Sequence, residues 1–141
     1  RARIANLPRR GQERLVRSGD DVAILALGSM VASAEEAARH PGREGRARPR
    51  VDLRWAKPLD CDAIRGAADT KLVVTVEEGV VSGGVGEEVL RILAQSGKSV
   101  PALTLGIPDQ FVVHGKKPLL LREIGLDAQG VADAILHKLG C

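Results

Sequence analysis

Aromatic side chains are almost missing from this sequence: Trp55 and Phe111 stand alone and there is no Tyr. A core of packed rings is excluded, and so is a surface that stacks bases on successive aromatics. Cysteine is scarce too. Cys61 and Cys141 make no metal-ligand spacing, which leaves a reducing, cytoplasmic setting as the simplest expectation. The apolar run Val22 to Leu27 falls far short of the roughly 20 residues a membrane-spanning helix needs, so no membrane partner is expected. Initiator Met is absent, and the opening RARIANLPRR lacks the apolar centre of a secretory signal. The chain therefore reads as a piece of something longer, with residues 1–20 as a linker and edge strand and residues 21–141 as one domain.

What is present is aliphatic. Of 141 residues, 44% are hydrophobic, enough for one domain with a single buried core. Built from Val, Leu, Ile and Ala, such a core suits helices packed on a buried sheet. The net charge of +3 is uneven: residues 1–57 carry 13 Lys/Arg against 7 Asp/Glu, and residues 58–141 carry 8 against 11.

VAILALG, from Val22 to Gly28, is continuously apolar and predicts a strand buried on both faces, with ERLVR before it as a short edge strand. Ser33 with Glu36 three residues on is a capping-box pattern for a helix that stops by Pro41. Residues 41–49, PGREGRARP, read as an exposed loop. A strand is expected over Val51 to Trp55, then a turn at Pro58 and a helix capped by Asp60. LVVTV, from Leu72 to Val76, predicts a second buried strand ending at Glu77 and Glu78. Val85, Val89, Ile92 and Leu93 form one face of a helix that starts at Gly84. A strand over Val100 to Leu105, a loop from Ile107 to Gly115, a short helix from Lys117 and a last helix capped by Asp127 complete the chain.

This alternation implies an α/β fold: an open, mostly parallel sheet of about five strands with helices on both faces. In such sheets functional groups gather at the carboxyl ends of the strands. Three loops qualify: Gly28-Ser29, Glu77 to Gly86, and Gly106 to Gly115.

The middle loop reads EEGVVSGGVGEE, and it admits three readings. A phosphate cradle needs free N–H groups at a helix start and no competing anion. Here Glu77 and Glu78 precede the glycines and Glu87 and Glu88 follow them, with no GxGxxG and no Walker lysine. An acid–base pair is also disfavoured, because adjacent residues on a strand point to opposite faces. The third reading is structural: one carboxylate accepts N–H bonds from the turn, and the glycines at 83, 84 and 86 allow another backbone to approach closely.

His114 fits a ligand or general base by residue type, but no Ser, Cys or second His stands in a triad relation to it. His40 and His137 read as surface residues near helix ends. Arg43, Arg46, Arg48 and Arg50 suggest anion binding, which the lack of aromatics reduces to a solvated basic loop. Cys61 has no evident partner base.

Five stretches carry a resemblance: VAILALGSM, VDLRWAKPLD, LVVTVEEGVVSGGVGEEV, VPALTLGIPDQFVVHG and LREIGLDAQGVADAIL. In this order over residues 21–138, the chain resembles the C-terminal domain of 1-deoxy-D-xylulose-5-phosphate synthase, a member of the transketolase-like thiamine diphosphate enzymes. The related domain of two-oxoacid dehydrogenase beta subunits also has a VEE and GGxG segment. The pairing of LGIPDQFVVHG with EIGLDAQGV is similar to the synthase. The departures are RWAKPLD where the family has RFVKPLD, and a longer, more arginine-rich loop at 41–50. The resemblance implies a whole enzyme that uses thiamine diphosphate and Mg²⁺ to condense pyruvate with glyceraldehyde 3-phosphate, releasing CO₂. It also implies that the cofactor, the metal and the catalytic groups belong to preceding domains of the polypeptide, so none is expected here and this chain alone is expected to be inactive. Its implied contribution is packing against those domains and support of a homodimer. The contact is expected at Glu77, Glu78, Gly83, Gly84 and Gly86, with Arg54, Lys57, Asp109 and His114 as accessory candidates and no nucleic acid as partner.

Overall fold

The two apolar runs lie side by side at the centre of a five-stranded sheet. A computed structural model describes residues 14–17, 21–39 and 50–140. The strands are β1 (Arg14–Arg17), β2 (Val22–Ala26), β3 (Arg50–Asp52), β4 (Leu72–Val80) and β5 (Ala102–Ile107), and the helices are α1 (Met30–Ala37), α2 (Cys61–Ala67), α3 (Val85–Gln95), α4 (Lys117–Glu123) and α5 (Ala128–Leu139). The strand order is β1-β3-β2-β4-β5, parallel except for β1, which runs antiparallel on β3.

Strand pleating divides the core into two layers. Val22, Ile24 and Ala26 of β2, with Val74 and Val76 of β4, meet Met30 and Ala34 of α1 and Val131 and Ile135 of α5. Their neighbours Ala23, Leu25 and Val73 point the other way, onto Ile64 of α2 and Val89, Ile92 and Leu93 of α3. All five residues of β2 are buried, which is why its sequence is apolar without alternation.

Local chemistry sets most of the boundaries. Asp60 accepts from the N–H groups of Asp62 and Ala63 at 3.1 and 3.0 Å, and Asp127 from that of Gly130 at 2.8 Å, as N-caps do. Helix α1 starts one turn earlier than the Ser33–Glu36 pattern suggests, because Met30 is buried in the core and Ser29 holds the cap position. β3 is shorter than expected: Arg54 takes a positive φ of 55°, and its N–H donates to Asp52 at 3.0 Å, turning the chain away. β4 runs on past Val76 to Val80, through a register shift that lets Val80 pair with Ile107. The expected linker before Arg14 and the expected exposed loop at 41–49 lie outside the described residues. Among the described residues no helix is long and apolar enough to cross a membrane.

Candidate functional site

From β2 the chain crosses to β3 on one side of the sheet, and it later returns to β4 on the other. The carboxyl ends of β2 and β4 therefore flank the switch point where open α/β sheets place their functional groups. Ser29 follows β2 there, and Glu77 and Glu78 extend β4 into it.

Glu77 is buried, 6% exposed, and lies against the start of α3. Its Oε2 accepts from the N–H of Val85 at 3.0 Å and its Oε1 from that of Gly86 at 2.8 Å. These are among the first N–H groups of a helix, which have no partner within the helix itself. Glu77 thus occupies the place a phosphate takes at a glycine-rich helix start, and it complements the positive end of the helix dipole.

The glycines make room for this carboxylate. A Cβ on Gly84 would stand 2.5 Å from Glu77 Oε1 and 2.6 Å from the Val80 carbonyl oxygen, and one on Gly79 would stand 2.8 Å from Glu77 Oε2. Gly106, at the end of β5, closes the seat from the next strand, where a Cβ would lie 3.2 Å from Glu77 Cγ and 2.9 Å from the Gly79 carbonyl oxygen. Gly83 is different: its surroundings are open, and it serves the turn through a φ of +73°. Beneath Gly86 sits Thr75, which is buried and whose hydroxyl is the one buried side-chain polar atom without a hydrogen-bond partner among the described residues.

Glu78 faces the opposite way. Its Oε2 accepts from the Ser29 hydroxyl and from Lys117 Nζ at 2.6 Å, which ties the ends of β2 and β4 to the start of α4. The Lys117 hydrogen bond, then that of Ser29, holds the Glu78 carboxyl below its usual range.

Of the accessory candidates, Lys57 lines an open cleft of about 460 Å³ with Gly83, Gly84, Glu87, Glu88 and Arg91. Arg91 donates to both Glu88 carboxylate oxygens, at 2.7 and 2.6 Å, and to Gln95 at 2.7 Å, so it is already engaged by its own helix. Arg54 lies at the turn after β3, 3.8 Å from Asp52. Asp109 and His114 are exposed on the stretch between β5 and α4. His137 is exposed in the last turn of α5. The structure thus gathers Glu77, Glu78, Gly83, Gly84 and Gly86, with Lys57 beside them. It adds Ser29, Thr75, Gly79, Gly106 and Lys117, which sequence reasoning did not single out as site residues. The available signal was weak: Gly28-Ser29 and Gly106 end two expected strands on the same edge.

These residues do not fit thiamine diphosphate and Mg²⁺. The first N–H groups of α3 are taken by Glu77. Among the described residues no group of three or more His, Cys, Asp and Glu is placed to hold a metal ion.

The chain matches the family model described as transketolase, C-terminal domain, over residues 11–131. It is 43% identical over 135 residues to 1-deoxy-D-xylulose-5-phosphate synthase of Dechloromonas aromatica, covering 95% of this chain and 21% of that protein. To the synthase of Cupriavidus taiwanensis it is 45% identical over 130 residues, covering 92% and 20%. The chain thus spans about a fifth of the length of the curated relatives it matches. Among solved structures, a split gene transketolase in the form of an inactive beta4 tetramer aligns with a TM-score of 0.84 and 36% identity over 92% of this chain and 43% of that one. Transketolase from Campylobacter jejuni shares the fold, with a TM-score of 0.66 and 18% identity over 90% of this chain and 18% of that one.

Proposed function

The chain belongs to the transketolase C-terminal domain family, and from that premise we propose that it is the C-terminal domain of a 1-deoxy-D-xylulose-5-phosphate synthase. The observation that carries the reading is identity above 40% to such synthases over nearly the whole chain. The whole enzyme condenses pyruvate with glyceraldehyde 3-phosphate and releases CO₂. Thiamine diphosphate and Mg²⁺ would be held by preceding domains of a cytoplasmic homodimer, where the cofactor would supply the carbanion chemistry.

In this reading the module does no chemistry. Glu77 and the glycines around it fix the carboxyl edge of the sheet, and the Gly83–Gly84 turn with Lys57 offers a contact for the preceding domains or the second subunit. The relatives are synthases, which favours this over a dehydrogenase beta subunit.

The test is an assay of the full-length polypeptide with pyruvate, glyceraldehyde 3-phosphate, thiamine diphosphate and Mg²⁺. 1-Deoxy-D-xylulose 5-phosphate and CO₂ are expected. No product from the full-length protein, or product from the 141-residue chain alone, contradicts the proposal.

A further inference from the structure

Among the residues whose side chains are described, Arg54 is the one lysine or arginine that is not exposed. Its side chain keeps 28% of its accessible surface, against 41% to 77% for the cations of the other ion pairs between described residues. It is also the least satisfied. The other six cations approach their carboxylates to between 2.5 and 3.0 Å. Arg54 comes no closer to Asp52 than 3.8 Å, through Nε, which is beyond hydrogen-bond reach. The order is the reverse of what solvation demands, since a cation withdrawn from water needs its partners more than an exposed one does.

The backbone under Arg54 is unusual as well. Its φ of 55° lies in the left-handed region, and the Trp55 N–H donates across it to the Leu53 carbonyl, forming a tight three-residue turn. Such a turn is strained for any residue that carries a Cβ. It is held without help from the guanidinium: Asp52 Oδ1 accepts the Arg54 N–H at 3.0 Å, and the buried Leu53 donates its own N–H to the Ala26 carbonyl at 2.9 Å. Glycine would take this conformation without strain, so the turn gives no reason for an arginine. Ala26 ends β2, which places the turn at the carboxyl edge of the sheet, where open α/β folds bind ligands.

We propose that Arg54 anchors a binding site for a small oxyanion, the carboxylate or phosphate group of a free molecule. A guanidinium presents paired N–H donors that fit either group bidentately. Nε is the atom nearest Asp52, which leaves the edge formed by Nη1 and Nη2 for the ligand. Lys57, exposed three residues further on, adds a second positive charge on the same loop. The site uses none of the residues that seat Glu77, and it does not depend on the synthase reading.

Arginine labelling with phenylglyoxal, mapped by peptide mass spectrometry on the full-length polypeptide, tests this. In buffer free of phosphate and carboxylates Arg54 is expected to react. Inorganic phosphate or acetate, at ten times its half-protecting concentration, should slow that reaction about tenfold. Arg65 and Arg91, engaged by Asp62 and Glu88 on their own helices, should slow less than about twofold. Whichever anion protects at the lower concentration names the group that the site takes. Protection of Arg54 no greater than that of Arg91 overturns the proposal. So does an Arg54 that stays unreactive without added anion while Arg65 and Arg91 react, because its guanidinium is then held by a carboxylate of the polypeptide. Arg54→Gln keeps the Cβ and most of the stem and removes the charge. Without anion it is expected to melt within about 1 °C of the wild type, and to lose the rise in melting temperature that the protecting anion gives the wild type. A lower melting temperature in the absence of anion makes the guanidinium a structural group and overturns the proposal.

Discussion

Glu77 and Glu78 are neighbours in the chain and opposites in the fold. Glu77 turns inward, gives up water and receives two backbone N–H bonds in a seat formed by glycines. Glu78 turns outward and meets Lys117 and Ser29 at the surface. A buried carboxylate with fixed donors is part of the framework, because removing it strands the donors; an exposed ion pair is screened and contributes little. The difference comes from strand pleating alone, since the two side chains have the same chemistry.

The largest effects are expected on the inward side. Gly84→Val places a branched side chain against Glu77 and the Val80 carbonyl, and chemical denaturation should show a loss of at least about 3 kcal/mol. Glu77→Ala leaves the N–H groups of Val85 and Gly86 without their acceptor, and is expected to cost about 3 kcal/mol. Equal stability of wild type and Glu77→Ala would erase the distinction between the two glutamates.

Glu78→Gln should cost no more than about 1 kcal/mol at neutral pH, because the pair is substantially exposed. Its pH dependence has a definite sign. The folded carboxyl titrates below its usual range, so the stabilisation is complete above the unfolded glutamate value and disappears as pH falls through the lowered folded value. Wild type and Glu78→Gln should therefore converge in stability on acidification below about pH 4; a gap that widens there contradicts the pairing.

The smallest effect belongs to Thr75, buried with an unpartnered hydroxyl on the same face as Glu77. Thr75→Val keeps the shape and removes the hydroxyl, so the melting temperature should hold or rise, by up to about 1 kcal/mol in stability. A clear loss would show that the hydroxyl has a partner.

Much of this was legible in the sequence, for physical reasons. VAILA and LVVTV announced the central strands because both faces of each are covered, and Asp60 and Asp127 announced helix starts because capping is local. The seat of one carboxylate under a glycine turn could be read because Glu77 and Gly86 are nine residues apart. What escaped was long-range. Gly106 reaches Glu77 only across the β4–β5 pairing, and Lys117 reaches Glu78 from 39 residues away. Ser33 misled because a local capping pattern lost to the burial of Met30, which lies beyond the reach of a local rule.

A double-mutant cycle between Gly79 and Glu77 tests the central claim, that the glycines seat Glu77, most directly. Apart from its chain neighbours, the three atoms nearest a Cβ on Gly79 belong to Glu77, the nearest being Oε2 at 2.8 Å. Gly79→Ala alone should cost about 1–2 kcal/mol by pushing the carboxylate off its donors, and nearly nothing in the Glu77→Ala background. The same cost in both backgrounds would contradict the claim.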